Sequence, residues 1–302
     1  MAAIRERYAL VQEPHDSPPS QRELQQGFAE ADAVITTLAE RVDHTVLAFA
    51  DRLKIIANYA VGYNNIDVGA AGQKGIIISN TPDVLTDATA DLTWALLLAS
   101  ARRVTEGDRW LRAGQWTGWA PTQMLGGDVT GKTLGIIGMG RIGQAVALRA
   151  MGFRMPVIYT SHRSATAPTG LSWSRHSFGE VLAQSDFLSL HVPLTDTTRH
   201  LIGAHELQTM KPTAYLINTS RGPVIDEAAL VSALETGVIA GAGLDVYEHE
   251  PVVHPSLAKL PNVVLLPHLG SATLQTRIRM GMICLENVAA VLAGNPAPNR
   301  VG

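Results

Sequence analysis

Short apolar runs alternate with helical stretches along the chain from residue 133 onward. The runs contain few polar breaks, which is typical of strands that are buried on both faces of a sheet. Strands that alternate with crossover helices predict a parallel, doubly wound α/β sheet. The predicted strands are, in order, TLGIIG, PVIYT, FLSLHV, AYLIN, AGLDV and NVVLLP, and the helices between them are RIGQAVALRAMG, one near Val181, one near Glu206 and DEAALVSALETG.

The first part of the chain repeats this rhythm more loosely and predicts a second, smaller α/β unit. Its candidate strands are YALVQ, AVITT, LKIIAN and GIIIS, with helices around Leu24 and Val46. An apolar-periodic stretch over residues 88–113 then predicts one long bridging helix, for which Asp87 is a candidate cap. A last helix over residues 273–293 is expected to end at Gly294.

Composition and charge narrow the classes of partner. The chain has 46% apolar and 17% charged residues and a net charge of -3, so we expect neither nucleic acid nor an anionic membrane as a partner. The longest apolar run, residues 94–99, is far shorter than the roughly 20 residues of a membrane span, and residues 1–10 lack the apolar stretch of a secretory signal. The single cysteine, Cys284, cannot form an intrachain disulfide, which fits a cytoplasmic protein. Small metabolites are the remaining class of ligand.

A glycine-rich turn, GMGRIG at residues 138–143, follows the strand TLGIIG and opens the next helix. It fits the dinucleotide fingerprint, whose glycines permit a tight turn, close approach to a pyrophosphate and close packing of helix on strand. The helix N-terminus favours an anion at the same place. The strand-turn-helix context disfavours the alternative, a glycine-rich turn without a ligand. The residues expected to bind the cofactor here are Gly138, Gly140, Arg141, Ile142 and Gly143.

The end of the next strand, PVIYT, indicates which dinucleotide is preferred. An NAD-specific site places a carboxylate there to bind the ribose hydroxyls, whereas this chain has Ser161, His162 and Arg163 and no carboxylate. A guanidinium and hydroxyls would hold a 2'-phosphate through charge-assisted hydrogen bonds. The sequence therefore predicts NADP as the preferred cofactor and leaves NAD possible. The alternative is a solvated turn in which Arg163 contacts nothing.

Three ionisable residues follow successive strands of the predicted sheet. Arg221 comes after AYLIN, Glu250 lies a few residues beyond AGLDV, and His268 follows NVVLLP. Ligands bind outside the carboxyl ends of the strands in an open parallel sheet. An arginine can bind a carboxylate, a histidine can transfer a proton near neutral pH, and a glutamate can hold that histidine. Each residue alone is more often solvated or structural, but together they are the set required to reduce a 2-oxo acid.

The sequence resembles the D-isomer-specific 2-hydroxyacid dehydrogenase family, from about Ala31 to its end. The resemblance is carried, in the family's order, by GIIGMGRIGQAVA, LHVPLT, LINTSRGPVIDEAAL, GAGLDVYEHEP and LPHLGSAT. It implies catalytic roles for Arg221, Glu250 and His268, with no metal. It also implies that Val61 and Gly62, in NYAVGYNNID, offer backbone N–H groups to the substrate carboxylate in a cleft between domains. By the same resemblance, the further residues that line the cofactor are Pro193, Thr219 and Asp245.

The architecture expected for such a chain is α/β, with two doubly wound parallel-sheet domains. Residues 99–269 would form a Rossmann-type dinucleotide-binding domain, and residues 1–98 with 270–302 a smaller flavodoxin-like substrate domain. Members of the family begin with a strand and a helix ahead of the segment equivalent to YALVQ, and this sequence starts too late to contain both. We therefore expect a substrate domain that lacks its first strand or is rebuilt, unless the true start lies upstream.

Within the family, two segments are most similar to glyoxylate and hydroxypyruvate reductases. They are the residues after PVIYT, which include His162 and Arg163, and the segment NTPDVLTDATADLTWALLLASARR. This implies reduction of small 2-oxo acids to D-2-hydroxy acids by a homodimer that pairs through residues 88–119. Trp116 and Trp119 would lie near the substrate or the partner, or serve as core or surface residues. Two alternatives are a dehydrogenase for another 2-oxo acid and an NAD(P)-sensing binding protein similar to the corepressors related to this family. The sequence identifies neither the physiological substrate nor the direction of the reaction.

Overall fold

The computed structural model describes residues 2–11 and 17–302. The chain divides into two compact units, one made of Met1–Leu85 with Thr273–Gly302 and the other of Thr86–Ala272. The helices are α1 (Ala2–Arg5), α2 (Gln21–Glu30), α3 (His44–Leu47), α4 (Val68–Gln73), α5 (Thr86–Ala101), α6 (Val104–Arg112), α7 (Arg141–Arg149), α8 (Phe178–Gln184), α9 (Ala204–Thr209), α10 (Glu227–Glu235) and α11 (Leu274–Leu292). The strands are β1 (Ala33–Thr36), β2 (Ile55–Asn58), β3 (Ile77–Ser79), β4 (Leu134–Ile137), β5 (Val157–Thr160), β6 (Trp173–Arg175), β7 (Phe187–Leu190), β8 (Tyr215–Asn218), β9 (Gly241–Leu244), β10 (Val263–Leu265) and β11 (Arg300–Val301).

The larger unit contains a parallel sheet with the strand order β10-β9-β8-β7-β4-β5-β6. The chain runs outward from β4 through β5 to β6, and then outward from β7 to β10 in the opposite direction. Strand order therefore reverses between β4 and β7, and ligands of such sheets bind at this switch point, beyond the carboxyl ends of the strands. The predicted parallel, doubly wound sheet is confirmed.

Helices cover both faces of this sheet. Leu216 and Ile217 are consecutive residues of β8, yet they belong to different apolar clusters, so the clusters lie on opposite faces. One cluster is closed by α5 and α7, where the Trp94 indole Nε1 donates to the Val146 carbonyl over 3.0 Å and the Trp94 ring stacks on Phe153. Burial on both faces explains why the strands appear in the sequence as nearly uninterrupted apolar runs.

The smaller unit contains a four-stranded sheet with the order β1-β2-β3-β11. The first three strands are parallel, and β11 pairs antiparallel with β3. Two apolar clusters pack against this sheet, one around Phe28 and Leu47 and one in which α11 contributes Cys284 and Val288. The sheet is therefore mixed, whereas the sequence led us to expect a purely parallel one.

Besides β11, which was not predicted, three elements differ from the prediction: the strand YALVQ, the strand β6 and the bridging helix. The strand YALVQ is absent over Tyr8–Val11, and its last residue, Gln12, lies outside the described residues. A strand requires a neighbour for its backbone hydrogen bonds, and no described strand pairs with the outer edge of β1. The three-residue strand β6 was not predicted at all.

The predicted bridging helix is two helices, α5 and α6. The break comes at Arg103, which has a left-handed backbone with φ of 52° and whose guanidinium binds the Glu106 carboxylate with two hydrogen bonds. Asp87 lies in the first turn of α5 and accepts a hydrogen bond from Arg149. The predicted boundary at residue 98 falls inside α5. Along the sequence, the first segment of the smaller unit ends at Leu85 and the larger unit begins at Thr86.

Candidate active site

The turn between β4 and α7 has the shape of an anion cradle. Gly138 has φ of +96°, and a Cβ there would lie 2.6 Å from the His191 carbonyl oxygen. A Cβ on Gly143 would lie 2.3 Å from the Gly138 carbonyl oxygen, so this glycine allows the helix to pack on the strand. Around Gly140, the N-cap of α7, a Cβ would meet nothing within 4 Å. The space in front of the α7 N-terminus is thus open at Gly140, and the turn fits a pyrophosphate there.

The residues after β5 carry positive charge and hydroxyl groups. Ser161 is half-buried, and His162 and Arg163 are exposed. The neighbouring strand β6 adds Arg175, whose guanidinium donates to the Ser161 carbonyl oxygen over 2.8 Å and to the Ser164 hydroxyl over 3.1 Å. A second guanidinium therefore lies beside the predicted cluster. Sequence reasoning missed Arg175 because it lies in a strand that contains no apolar run and is mostly exposed.

The three predicted catalytic residues come from neighbouring strands, because β8, β9 and β10 lie side by side in the sheet. His268 Nδ1 and Glu250 Oε2 are 2.8 Å apart, within hydrogen-bonding distance. The His268 and Glu250 side chains are 30% and 35% exposed, so both contact solvent and protein. Arg221 lies near enough to Glu250 for their opposite charges to affect each other. The structure therefore brings the guanidinium, carboxylate and imidazole together.

Electrostatics keep the Glu250 carboxylate ionised. Burial is the largest single effect and raises its pKa. The hydrogen bond and charge of His268, the Tyr247 N–H and the charge of Arg221 act in the opposite direction, and together they lower the pKa of Glu250 below its ordinary value. Burial lowers the pKa of the Arg221 guanidinium, and Glu250 counteracts part of this effect. A negative charge on Glu250 is thus maintained beside His268.

The backbone around His268 is fixed by Asp245. His268 has φ of +53°, and its N–H donates to the Asp245 carbonyl oxygen over 2.9 Å. The buried Asp245 carboxylate accepts from the N–H groups of Leu269 and Gly270 over 2.6 and 2.8 Å. Burial raises the pKa of Asp245 against the effect of these donors. Asp245, predicted from the family resemblance to line the cofactor, also holds the loop that carries His268.

Arg221 is positioned by close backbone packing. The next residue is Gly222, where a Cβ would lie 1.8 Å from the Tyr247 carbonyl carbon and oxygen. Before it, the Asn218 amide donates to the Arg221 carbonyl oxygen over 2.9 Å. The Tyr247 peptide, three residues before Glu250, therefore packs directly against the segment that carries Arg221. The positions of Arg221 and Glu250 are coupled through this contact.

Comparison with known proteins identifies the family. The family model "D-isomer specific 2-hydroxyacid dehydrogenase, NAD binding domain" matches residues 94–270. The chain belongs to this family. It is 51% identical over 288 residues to a glyoxylate reductase of Thermococcus litoralis, covering 94% of this chain and 87% of the relative. It is 50% identical over 291 residues to one of Aeropyrum pernix, again covering 94% and 87%.

Solved structures agree with this membership. A protein of Thermus thermophilus superposes with a TM-score of 0.93 at 45% identity, covering 100% of this chain and 96% of that one. An NADPH-dependent glyoxylate/hydroxypyruvate reductase of Sinorhizobium meliloti, solved with NADP and malonate, gives a TM-score of 0.83 at 36% identity, covering 91% and 85%. As a member of the family, the chain is an NAD(P)-dependent dehydrogenase that acts on small 2-oxo or 2-hydroxy acids.

Two residues predicted to line the cofactor of this dehydrogenase make protein contacts. The buried Thr219 hydroxyl lies 2.8 Å from the Thr93 hydroxyl of α5, and the carbonyl oxygen of the exposed Pro193 accepts from Thr198 over 2.6 Å. Next to the glycine-rich turn, His191 Nε2 lies 2.8 Å from the Ser189 hydroxyl. Burial lowers the pKa of His191 to about 3, so its ring is neutral at neutral pH.

The predicted substrate loop lies in the smaller unit. Val61 and Gly62 follow β2 and are half-buried.

Over residues 2–11 and 17–302, no group of three or more His, Cys, Asp or Glu side chains has the arrangement of a metal site. The same part of the chain contains no helix with the length and apolar character of a membrane span.

Proposed function

We propose that this dehydrogenase reduces small 2-oxo acids to D-2-hydroxy acids with NADPH, and that glyoxylate and hydroxypyruvate are its main substrates. The observation that carries the proposal is the hydrogen bond between His268 and Glu250 beside Arg221. The glyoxylate reductases at about 50% identity support the choice of substrate. Another small 2-oxo acid is the alternative substrate within the same chemistry.

In the proposed mechanism, NADPH supplies the hydride that C2 of the substrate receives. The Arg221 guanidinium and the N–H groups of Val61 and Gly62 bind the substrate carboxylate. Glu250 holds Nδ1 of His268, which leaves Nε2–H to donate a proton to the carbonyl oxygen as negative charge develops there. Arg221 stabilises the same charge. His268 then regains its proton from solvent.

The preference for NADPH is supported by the absence of a carboxylate after β5. Ser161, His162 and Arg163 would face the 2'-phosphate, and Arg175 adds a second guanidinium beside them. Charge-assisted hydrogen bonds to a phosphate are stronger than neutral ones, and a ribose hydroxyl would gain less from these cations.

The test is a steady-state assay with glyoxylate or hydroxypyruvate and each cofactor, applied to the wild type and to His268→Ala. We expect kcat/KM to be higher with NADPH than with NADH. Loss of the proton donor should lower kcat by roughly 10²- to 10⁴-fold. The control is His205→Ala, an exposed histidine of α9, which should retain wild-type turnover. Wild-type turnover in His268→Ala would contradict the mechanism, and a preference for NADH would contradict the choice of cofactor.

The competing function is a dinucleotide-sensing binding protein with the same fold, as in the corepressors that resemble this family. The two functions differ in turnover. If the wild type binds NADPH but reduces none of a panel of small 2-oxo acids, the binding protein becomes the better explanation.

We also propose that the enzyme is a cytoplasmic homodimer. Exposed apolar side chains are concentrated in α6 and the loop after it, and a monomer rarely exposes so much apolar surface without a partner. These residues are Val104, Leu111, Trp116, Trp119 and Leu125, with 53% to 83% of the surface exposed. A second copy of the chain is the partner that family resemblance favours. The cytoplasm is supported by the buried thiol of Cys284, which has no disulfide.

A further inference from the structure

Two side-chain amides hold the carbonyl groups of the loop that follows β2. Asn80 Nδ2 donates to the Val61 carbonyl oxygen over 2.8 Å, and Asn58 Nδ2 donates to the Gly62 carbonyl oxygen over 2.8 Å. Carbonyl oxygens only accept hydrogen bonds, so the NH₂ end of each amide faces the loop. Consecutive carbonyl groups of one turn are thus held by the last residue of β2 and by the residue that follows β3.

The register of the smaller sheet places the two asparagines side by side. β2 and β3 are parallel and pair Ala57 with Ser79, so Asn58 and Asn80 come one residue later at equivalent positions. Both side chains therefore leave the sheet on the same face. Asn58 is fully buried, and its Oδ1 lies 3.3 Å from the Thr36 hydroxyl of β1. This contact fixes the orientation of the Asn58 amide.

A hydrogen bond to the carbonyl oxygen of a peptide group also fixes the direction of the N–H of that group. Each peptide group is planar and trans, so its N–H points opposite to its C=O. The Val61 carbonyl belongs to the same peptide as the Gly62 N–H, and Asn80 therefore sets the direction of that N–H. The Thr81 N–H holds the Ala60 carbonyl oxygen over 2.9 Å and sets the Val61 N–H in the same way.

The two directed N–H groups are available to a ligand. Neither the Val61 nor the Gly62 N–H has an acceptor among the residues that the structure describes. By contrast, Tyr59 and Ala60, the preceding residues, donate to the Thr36 and Asn58 carbonyl oxygens over 2.7 and 2.8 Å. The turn therefore ends in a pair of donors, and their directions are fixed through the carbonyl groups of the residues before them, Ala60 and Val61.

We propose that Asn80 is a positioning residue that aims the Gly62 N–H at the carboxylate of the substrate, while Asn58 holds the next peptide group of the loop. The proposal rests on the proposed function, which makes a 2-oxo acid the ligand of this loop. Asn80 contacts the loop and acts on the substrate only through it. Its effect is thus on carboxylate binding, which is equally strong in the ground state and the transition state.

The test is Asn80→Asp, which replaces the amide donor by an oxygen that repels the Val61 carbonyl. Uniform loss of carboxylate binding raises KM and leaves kcat unchanged. We expect KM for glyoxylate to rise about tenfold, kcat to stay within about threefold, and the Kd of NADPH to remain unchanged. The Kd of oxamate, an unreactive carboxylate analogue, should rise in parallel with KM. Asn80→Ala removes the donor without adding charge and should show the same pattern to a smaller extent.

The matched control is Asn65→Asp, which makes the same change in the same loop. The Asn65 amide donates to the Thr37 and Glu40 carbonyl oxygens over 2.9 and 3.0 Å, away from the two directed peptides. We expect it to lower Tm but to change KM for glyoxylate by less than about twofold.

Three outcomes would overturn the inference. They are an unchanged KM and oxamate Kd in Asn80→Asp, a loss of kcat at unchanged KM, and an equal rise of KM in Asn65→Asp. In each of these cases the wild type remains active, so the proposed function survives. A wild type that reduces no 2-oxo acid would instead remove the proposed function, and this inference with it.

Discussion

At the scale of single residues, Glu250 interacts with three partners at once. Its carboxylate lies 2.8 Å from His268 Nδ1, accepts from the Tyr247 N–H over 3.1 Å and is attracted by Arg221. The rule that ligands bind at the carboxyl ends of parallel strands predicted that Arg221, Glu250 and His268 would meet. The same rule could not predict the hydrogen bonds to backbone groups, such as those that the Leu269 and Gly270 N–H groups donate to Asp245. Residue types do not indicate where main-chain hydrogen bonds form.

The pH dependence of stability follows from Glu250. Its pKa is lower in the folded protein than its ordinary value, so its ionic contacts contribute stability at neutral pH, and this contribution is lost as pH falls through the lowered pKa. We expect Glu250→Gln to have a lower Tm than the wild type at about pH 7 and a difference that shrinks below about pH 4. Thermal unfolding across this pH range measures it.

The control for this experiment is Glu235→Gln, at the exposed end of α10, which should leave Tm unchanged at each pH. A Tm difference for Glu250→Gln that grows on acidification would show that the carboxylate destabilises the fold at neutral pH, contrary to the expectation.

At the scale of elements, buried strands were predictable from their apolar runs, whereas exposed or isolated elements were not. β4, β7, β8 and β10 appear as apolar runs because both faces of the sheet are covered. β6 has three residues, of which Trp173 is half-buried and the other two are exposed, so its sequence contains no apolar run. The break between α5 and α6 contains no glycine or proline, and it depends on an Arg103–Glu106 contact that periodicity does not detect. The segment 8–11 has strand-like residues but no neighbouring strand.

The contact between the segment after β8 and the segment after β9 can be tested with Gly222→Ala. The new Cβ would meet backbone atoms of Tyr247 at 1.8 Å, and backbone cannot rotate away as a side chain can. We expect a loss of about 1–3 kcal/mol in the free energy of unfolding, typical of overpacking. We also expect kcat to fall at least tenfold, because Arg221 and Glu250 are displaced from each other. Denaturant unfolding and steady-state kinetics measure the two effects.

Gly179→Ala is the matched control, since Gly179 lies in α8 and a Cβ there meets nothing within 4 Å. Alanine in a helix should stabilise the protein by roughly 0.5–1 kcal/mol and leave kcat unchanged. Equal stability of Gly222→Ala and the wild type would refute the tight backbone packing.

At the scale of the whole molecule, the sequence predicted two α/β units of unequal size but not the antiparallel strand β11. A two-residue strand close to the chain end carries too little pattern to be recognised. The pattern of apolar residues could not predict the proposed dimer surface either. In the sequence, an exposed apolar residue such as Trp119 cannot be distinguished from a core residue.

The homodimer can be tested with Leu111→Glu and Trp119→Glu. A carboxylate placed in an apolar interface would be desolvated without a partner. We expect each variant to raise the dimer Kd at least about 30-fold, the effect of about 2 kcal/mol at an interface hot spot. Light scattering coupled to gel filtration over a concentration series measures it. Met151→Glu, an exposed apolar residue outside the segment, should dimerise as the wild type does, and a wild type that is monomeric at all concentrations would refute the dimer.

The smaller unit is built from two separate segments of the chain, because β11 joins the sheet begun by β1 and α11 packs against that sheet. During translation the ribosome releases all of Thr86–Ala272 before it releases the residues that complete this sheet. The larger unit can therefore fold while synthesis continues, whereas β3 must wait for β11, which is synthesised after the whole of the larger unit. Nascent chains in which residue 272 has just left the ribosome exit tunnel should accordingly bind the dinucleotide before they acquire a protease-resistant smaller unit.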